Sequence, residues 1–255
     1  MRAAETLLRV QGVSHAFGGV EVLKGLDFEV HRGEFVALVG PSGCGKTTLL
    51  NLCSGWLRAS AGAVQTTGRV RMVFQQDGLF PWLTVDENIR LGLRHVHEDP
   101  ERKRRAESLL ALIGLQPFAS HYPHQLSGGM RQRVELARAL GGETDLLLMD
   151  EPFSSLDYLT RLKMRGELAR LLHEQPRTVV LVTHDIEEAA QLADRVLVLT
   201  DRPGRVRDEV RLELPRPRDA THAQVVRAVH HILTELGLET DRETVAVTNG
   251  REERR

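Results

Sequence analysis

The stretch Phe35-Val36-Ala37-Leu38-Val39-Gly40-Pro41-Ser42-Gly43-Cys44-Gly45-Lys46-Thr47 decides how the rest of the chain is read. Its first five residues are continuously apolar, the pattern of a strand buried on both faces of a parallel sheet. The next eight fit G-x-x-x-x-G-K-[ST] at every fixed position, and a helix is predicted from about Lys46 to Leu52. Strand, glycine loop and helix in that order build a cradle of backbone N–H groups for phosphate oxygens. Lys46 adds a point charge for the β- and γ-phosphates. The Thr47 hydroxyl is placed to bind Mg²⁺.

Working outward, residues 6–36 read as short strands: Leu7–Val10, Val20–Leu23 and the alternating Leu26–Val30, with a turn at His31–Glu34. Val70–Phe74 reads as a further strand. From Gln75 to Leu140 proline, charge and helical periodicity dominate, with Glu101 to Leu115 a clear amphipathic helix, so this region is predicted to be a mostly helical insertion. Leu146–Met149 and Thr178–Val182 return to the buried-strand pattern, with a crossover helix from Leu159 to Leu172 between them. Val196–Leu199 is another strand, followed by a turn at Arg202-Pro203-Gly204. Thr221 to Leu236 is a late amphipathic helix, and the residues after it are polar. Strands alternating with helices predict an α/β core around a parallel sheet.

Further segments carry chemistry. Asp150-Glu151 closes the strand Leu146–Met149, and adjacent residues there point different ways. Asp150 suits a Mg²⁺ shell, and Glu151 suits a base that polarises water for in-line attack on a γ-phosphate. Gln75 and His184 end the strands before them, at the carboxyl edge where ligands bind in such sheets. Gln75 could reach Mg²⁺ or the water, and His184 the γ-phosphate. The run Leu126-Ser127-Gly128-Gly129-Met130-Arg131-Gln132-Arg133 reads as a helix start, with Ser127 as its cap and two glycines that let an anion approach the backbone. The chain thus carries two anion-binding helix starts.

Bulk properties narrow the class. At 255 residues the chain is one large domain or a domain with a sub-lobe. Thirty-four basic residues against 35 acidic ones give no overall field for nucleic acid or an anionic membrane. With 41% hydrophobic residues a packed core is expected. The two cysteines, Cys44 and Cys53, have no metal or redox spacing, which suits a reducing compartment. No run of about 18 apolar residues predicts a membrane span, and the first residues do not read as a signal peptide.

The order of these motifs resembles the nucleotide-binding subunits of ABC transporters. Gly40–Thr47 is similar to the family's phosphate loop, Val73-Phe74-Gln75 to its glutamine loop and Leu126–Gly129 to its LSGG signature. Leu147–Pro152 is similar to its Walker B strand, Ser155-Leu156-Asp157 to its D-loop and Thr183-His184-Asp185 to its switch histidine. Phe17 falls where the family stacks an aromatic ring on adenine. Two departures are Met130, where many members have glutamine, and Phe17, where many have tyrosine; phenylalanine keeps the stacking face.

The resemblance implies a P-loop NTPase (RecA-like) core with a parallel sheet, an N-terminal antiparallel β subdomain and an inserted α-helical subdomain. The cassette would run over 6–235, with the insertion at about 77–140 and a flexible tail at 236–255. ATP contacts would come from Phe17, Gly40, Ser42, Gly43, Cys44, Gly45, Lys46, Thr47, Thr48, Ser127, Gly128, Gly129 and Asp157. Mg²⁺ would be held by Thr47, Gln75 and Asp150, and catalysis carried by Glu151, His184 and Gln75. In such a family two copies face head to tail, and the signature of one grips the nucleotide on the phosphate loop of the other. Implied partners are therefore a second copy, integral membrane permease subunits and, indirectly, an external solute-binding protein, with no nucleic acid. The place would be the cytoplasmic face of the membrane. Leu79–Val85, Glu151–Asp157 and Arg202–Arg205 resemble importers for nitrate, aliphatic sulfonates and taurine. Phe80, Pro81, Trp82 and Leu83 either line a groove for a permease helix or pack the insertion internally.

Alternatives are a soluble ABC-type ATPase of the translation or DNA-repair kind, and a P-loop small-molecule kinase. One compact cassette argues against the first, and the LSGGMRQR run against the second. The basic run Arg102-Lys103-Arg104-Arg105, flanked by acids, reads as a solvated helix face. The pairs His95/His97 and His121/His124 lack zinc spacing, and Cys44 reads as a small filler in its loop.

Overall fold

The computed structural model describes residues 5–74 and 78–238. The chain opens with β1 (Thr6–Phe17) and β2 (Val20–His31), then β3 (Phe35–Val39), α1 (Lys46–Cys53), β4 (Ala61–Thr66) and β5 (Val70–Val73). Helices α2 (Val85–Gly92), α3 (Asp99–Leu112) and α4 (Gly128–Gly141) follow, with two short 3₁₀ turns before α4. The second half runs β6 (Leu146–Asp150), α5 (Tyr158–Glu174), β7 (Thr178–Val182), α6 (Ile186–Leu192), β8 (Arg195–Leu199), β9 (Val206–Arg211) and α7 (Ala223–Glu235).

Two sheets result. Strands β2-β1-β4 form an antiparallel sheet, and β5-β6-β7-β3-β8-β9 form the second. In the second sheet β3 pairs in parallel with both β7 and β8, and β6 pairs in parallel with β5 and β7. Every residue of β3, β6, β7 and β8 is buried. Alternation along these strands sorts the side chains onto two faces. Phe35, Ala37 and Val39 join Leu147, Met149, Val179 and Leu181 under the helices that follow. Val36 and Leu38 join Leu148, Val180, Leu49 and Leu50 against α1 and the antiparallel sheet. Burying each such side chain contributes about 1.5–3 kcal/mol, so β3 is anchored from both sides and its end is a fixed platform.

The structure departs from the sequence reading at several elements. Leu7–Val10 is part of a 12-residue strand, and Val20–Leu23 and Leu26–Val30 are one strand. Irregularities in the β1–β2 register break the simple alternation. The hairpin turn is Gly18-Gly19, both at positive φ, as a two-residue hairpin requires. Helix α3 stops at Leu112 rather than Leu115: Gly114 adopts φ 64 and Leu115 N donates to Leu110 O, a glycine-terminated helix end. The sheet is mixed, not wholly parallel, because β9 pairs antiparallel with β8 at the edge. The segment between β5 and β6 also contains α2, which a complete Thr84/Glu87 capping box starts.

Candidate functional site

Parallel pairing puts the carboxyl ends of β3, β7 and β6 along one edge. Leu38 pairs with Val182, and Val182 with Asp150. The phosphate loop, Asp150-Glu151 and Thr183-His184 therefore leave the sheet side by side, as ligand sites in such sheets do.

The loop Gly40–Gly45 is built tightly. Gly43 and Gly45 adopt φ 78 and φ 106. A side chain at Gly45 would stand 2.6 Å from Leu23 Cδ2, and one at Gly40 would stand 3.0 Å from Leu199 Cβ. The turn picked out at Arg202–Gly204 braces the loop from behind, with Gly204 passing so close that a Cβ there would lie 2.3 Å from Cys44 O. Lys46 is buried, and its ammonium donates to Gly40 O at 2.6 Å and Pro41 O at 2.9 Å. The N-cap of α1 is Gly45, which has no side chain to cap the helix start. Cys44 is buried and burial pushes its thiol pKa up, opposed by the nearby Lys46 charge. That suits a filler and not a reactive thiolate. Ser42 is exposed on the loop, and Thr48 follows Thr47 in the first turn of α1.

Asp150 ends β6 and is buried. Burial raises its carboxyl pKa, while a hydrogen bond with Thr47 and the charge of Lys46 oppose the rise. Its Oδ1 has no hydrogen-bond partner among the described residues. A hydroxyl and a buried carboxylate oxygen side by side are the donor set of a hard cation such as Mg²⁺. Gln75 lies outside the described residues. The residues on either side of that gap, Phe74 and Gly78, both donate backbone N–H groups to the buried Glu135 carboxylate of α4.

Glu151 is a non-glycine residue at φ 48, a conformation that persists only when its surroundings hold it. Its N–H donates to Val182 O at 2.9 Å, and its carbonyl accepts from Gln132 Nε2 at 2.9 Å and from Ser154. Its carboxylate Oε2 is 3.3 Å from His184 Nδ1. Thr183 Oγ1 donates to Glu188 Oε2 at 2.7 Å, and Asp185 caps α6 while pairing with Arg165 and Arg161. The histidine turn is thus braced from below.

Other expected site residues lie on exposed helix and strand ends or serve the fold. Phe17 is 50% exposed at the end of β1, edge-on to His15. Ser127 caps α4, accepting from Met130 N at 3.3 Å, and Ser127 and Gly128 are exposed. A Cβ at Gly128 would meet nothing nearer than Arg131 Nη2 at 3.9 Å, whereas one at Gly129 would stand 2.9 Å from Ser155 O. Asp157 caps α5, and the hydrogen bonds from Thr160 lower its pKa.

Gln132, Glu135 and Glu188 escaped the sequence reading. Each is a buried polar residue within a helix, and only its tertiary partners reveal it. The basic run on α3 is a paired surface: Arg104 and Arg105 reach Glu101, and Arg102 reaches Asp99. A cleft of about 720 Å³ between α3 and α5 holds none of the expected site residues.

A phosphate loop, a lysine and a hydroxyl–carboxylate pair at the edge of a parallel sheet define a P-loop nucleoside triphosphatase. The family described as ABC transporter matches residues 23–154. An aliphatic sulfonates import ATP-binding protein of Rhodococcus jostii is 47% identical over 224 residues, covering 86% of this chain and 88% of that one. A taurine import ATP-binding protein of Pelagibacter ubique is 46% identical, covering 76% of each chain. A dimeric ABC cassette in a post-hydrolysis state with ADP and phosphate superposes with TM-score 0.72 at 34% identity, covering 82% of this chain and all of that one. The chain belongs to the ABC transporter ATP-binding family and is an ATPase of that type.

Proposed function

We propose that the protein is the ATP-hydrolysing motor subunit of an importer, working as a head-to-tail dimer on a separate permease. The observation that carries the dimer is the start of α4. A Cβ at Gly128 would meet only Arg131 Nη2, at 3.9 Å, so among the described residues no contact requires glycine there. A close-approaching phosphate on a second copy would require it. The dimeric relative with ADP and phosphate supports the same arrangement.

In this reading the Lys46 ammonium turns from the Gly40 and Pro41 carbonyls to the β- and γ-phosphates. Thr47 and Asp150 would hold Mg²⁺, with Gln75 as a further ligand, and the ion would supply charge neutralisation at the phosphate oxygens. Glu151 accepts a proton from the attacking water, and His184, 3.3 Å from it, orients that carboxylate and reaches the γ-phosphate. Ser127, Gly128 and Gly129 lie on the partner's nucleotide, Phe17 stacks on adenine, and Asp157 sits at the seam. The cassette spans 6–235 with the helical insertion at about 77–140.

The permease groove lies beside the insertion. A groove of about 440 Å³ is lined by Arg71, Phe80, Arg94 and Arg138, with the Arg138 guanidinium over the Phe80 ring at 5.7 Å. Phe80 and Trp82 are 41% and 69% exposed, which favours an interface over internal packing. Among the described residues no helix is long and apolar enough to cross a membrane, so the subunit would reach the cytoplasmic face through its permease. The named relatives point to sulfonate or taurine as cargo, delivered by an external binding protein.

Size-exclusion chromatography of Glu151→Gln with Mg-ATP tests the motor. An ATP-dependent dimer with hydrolysis lowered on the order of 100-fold or more is expected. A strictly monomeric, fully active variant overturns it. Growth on taurine or an alkanesulfonate as sole sulfur source, with the gene deleted, tests the cargo.

A further inference from the structure

Gln132 lies just beyond the exposed start of α4 and is 4% exposed. Its amide serves two backbone groups of another segment. Nε2 donates to Glu151 O at 2.9 Å, and Oε1 accepts from Ser155 N at 3.1 Å. Beside it, Gly129 packs backbone against backbone: a Cβ there would stand 2.9 Å from Ser155 O and 3.0 Å from Leu156 Cδ2. The start of α4 and the segment 151–156 are therefore held together by a two-point polar clamp and by a contact with no slack. Glu151 sits within this segment at φ 48, a backbone state its neighbours must impose.

We propose that Gln132 is a positioning residue that couples the two ATP sites of the dimer, by making the helix start that grips the partner's nucleotide move as one body with Glu151 of its own site. The inference rests on the head-to-tail dimer proposed above. Two sites couple only through an element whose position both ligands bias. Here that element is the start of α4 together with residues 151–156. A γ-phosphate on the partner fixes Ser127–Gly129, and the clamp passes that position to Glu151. A base misplaced by about 1 Å loses up to about 100-fold in rate, so the link need carry only a small displacement. Coupling is reciprocal: nucleotide that settles Glu151 in its own site also presents the α4 start to the partner.

The plainer role for Gln132 is to satisfy two buried backbone groups. A structural role of that kind lowers stability and rate together and leaves the ATP dependence of the rate unchanged in shape. The test is steady-state ATPase activity of the full chain against Mg-ATP concentration, for the parent, Gln132→Leu and Gln132→Glu. An ionised glutamate keeps the acceptor for Ser155 N, loses the donor to Glu151 O and sets a charged oxygen against that carbonyl. The parent is expected to be sigmoidal, with a Hill coefficient rising toward about 2, the number of sites. Both variants should lose about 10- to 100-fold in kcat and become hyperbolic, with monomer affinity for a fluorescent ATP analogue unchanged. Should Gln132→Leu fail to fold, Gln132→Glu decides, because it retains one of the two bonds. A hyperbolic parent, or variants that keep the parent's Hill coefficient, overturns the inference while the ATPase reading stands. Absence of ATPase activity or of the Glu151→Gln dimer overturns the motor reading, and the coupling falls with it.

Discussion

Two glycine-rich helix starts lie in this chain, and they need glycine for different reasons. In the phosphate loop the reasons are internal. Gly45 stands at φ 106 with Leu23 2.6 Å from where a Cβ would be, and Gly40 backs onto Leu199. At the start of α4, Gly129 is pressed against Ser155 O, but Gly128 faces open space. One segment is finished by its own fold. The other, on the proposed reading, is finished by a second copy of the chain. Such a glycine is read by asking first what a Cβ would hit and then what its backbone conformation demands: Gly45 answers to both, Gly129 to the first, and Gly128 to neither.

The hardest test of the finished segment is Lys46→Ala. The side chain is buried and tied to the Gly40 and Pro41 carbonyls. Its loss removes the point charge meant for the phosphates, and ATPase activity should fall on the order of 100- to 1,000-fold. Binding of a fluorescent ATP analogue should weaken in parallel. Unchanged nucleotide affinity would mean that the ammonium serves only to close the loop.

The comparison itself is tested by two alanines. Gly45→Ala forces a side chain into a left-handed backbone and against Leu23, and should cost about 3 kcal/mol of stability. In a thermal melt that is a loss of roughly 6–12 °C for a domain of this size. Gly128→Ala enters open space and should leave the melting temperature unchanged, yet lower ATPase activity about tenfold by crowding the partner's phosphate. If Gly128→Ala also melts early, its glycine has an internal role and the contrast collapses.

What was legible in the sequence follows the same division between packing and tertiary partnership. Phe35–Val39, Leu146–Met149 and Thr178–Val182 could be read because strands buried on both faces write continuous apolar runs. The edge strand Val206–Arg211, alternating with charge, and the small-residue strand Ala61–Thr66 write no such run. Helix α6 has seven residues, too few for a period to show. Helix α2 carried a readable start in Thr84 and Glu87, and was absorbed into a general helical insertion instead. Phosphate loop, Asp150 and Glu151 were legible as local strings at strand ends. Gln132 was in view within the signature run, but its function lies in two backbone groups 19 and 23 residues away, which no local spacing encodes.

The smallest predicted effect concerns the brace beneath His184, on the finished side of the comparison. Glu188 is buried at the start of α6, bonded to Thr183, with Arg165, Arg161 and Asp185 around it and Oε1 without a partner among the described residues. Burial pushes its carboxyl pKa up from 4.5 to about 7. A carboxyl raised on folding binds its proton more tightly in the folded state, so between these values the folded protein holds a proton that the unfolded chain has lost. Stability must then fall as pH rises through this window. The contribution is fully present below about 4.5, declines by about 2 kcal/mol between pH 5 and pH 7, and is gone above the folded value. Glu188→Gln removes the titration and keeps an acceptor for Thr183. Urea unfolding at pH 5 and pH 7 should show the parent losing stability relative to the variant. A difference between parent and variant that is flat with pH would mean that Glu188 stays ionised through its arginine neighbours, and that the turn holding His184 is braced by charge instead of by a neutral hydrogen bond.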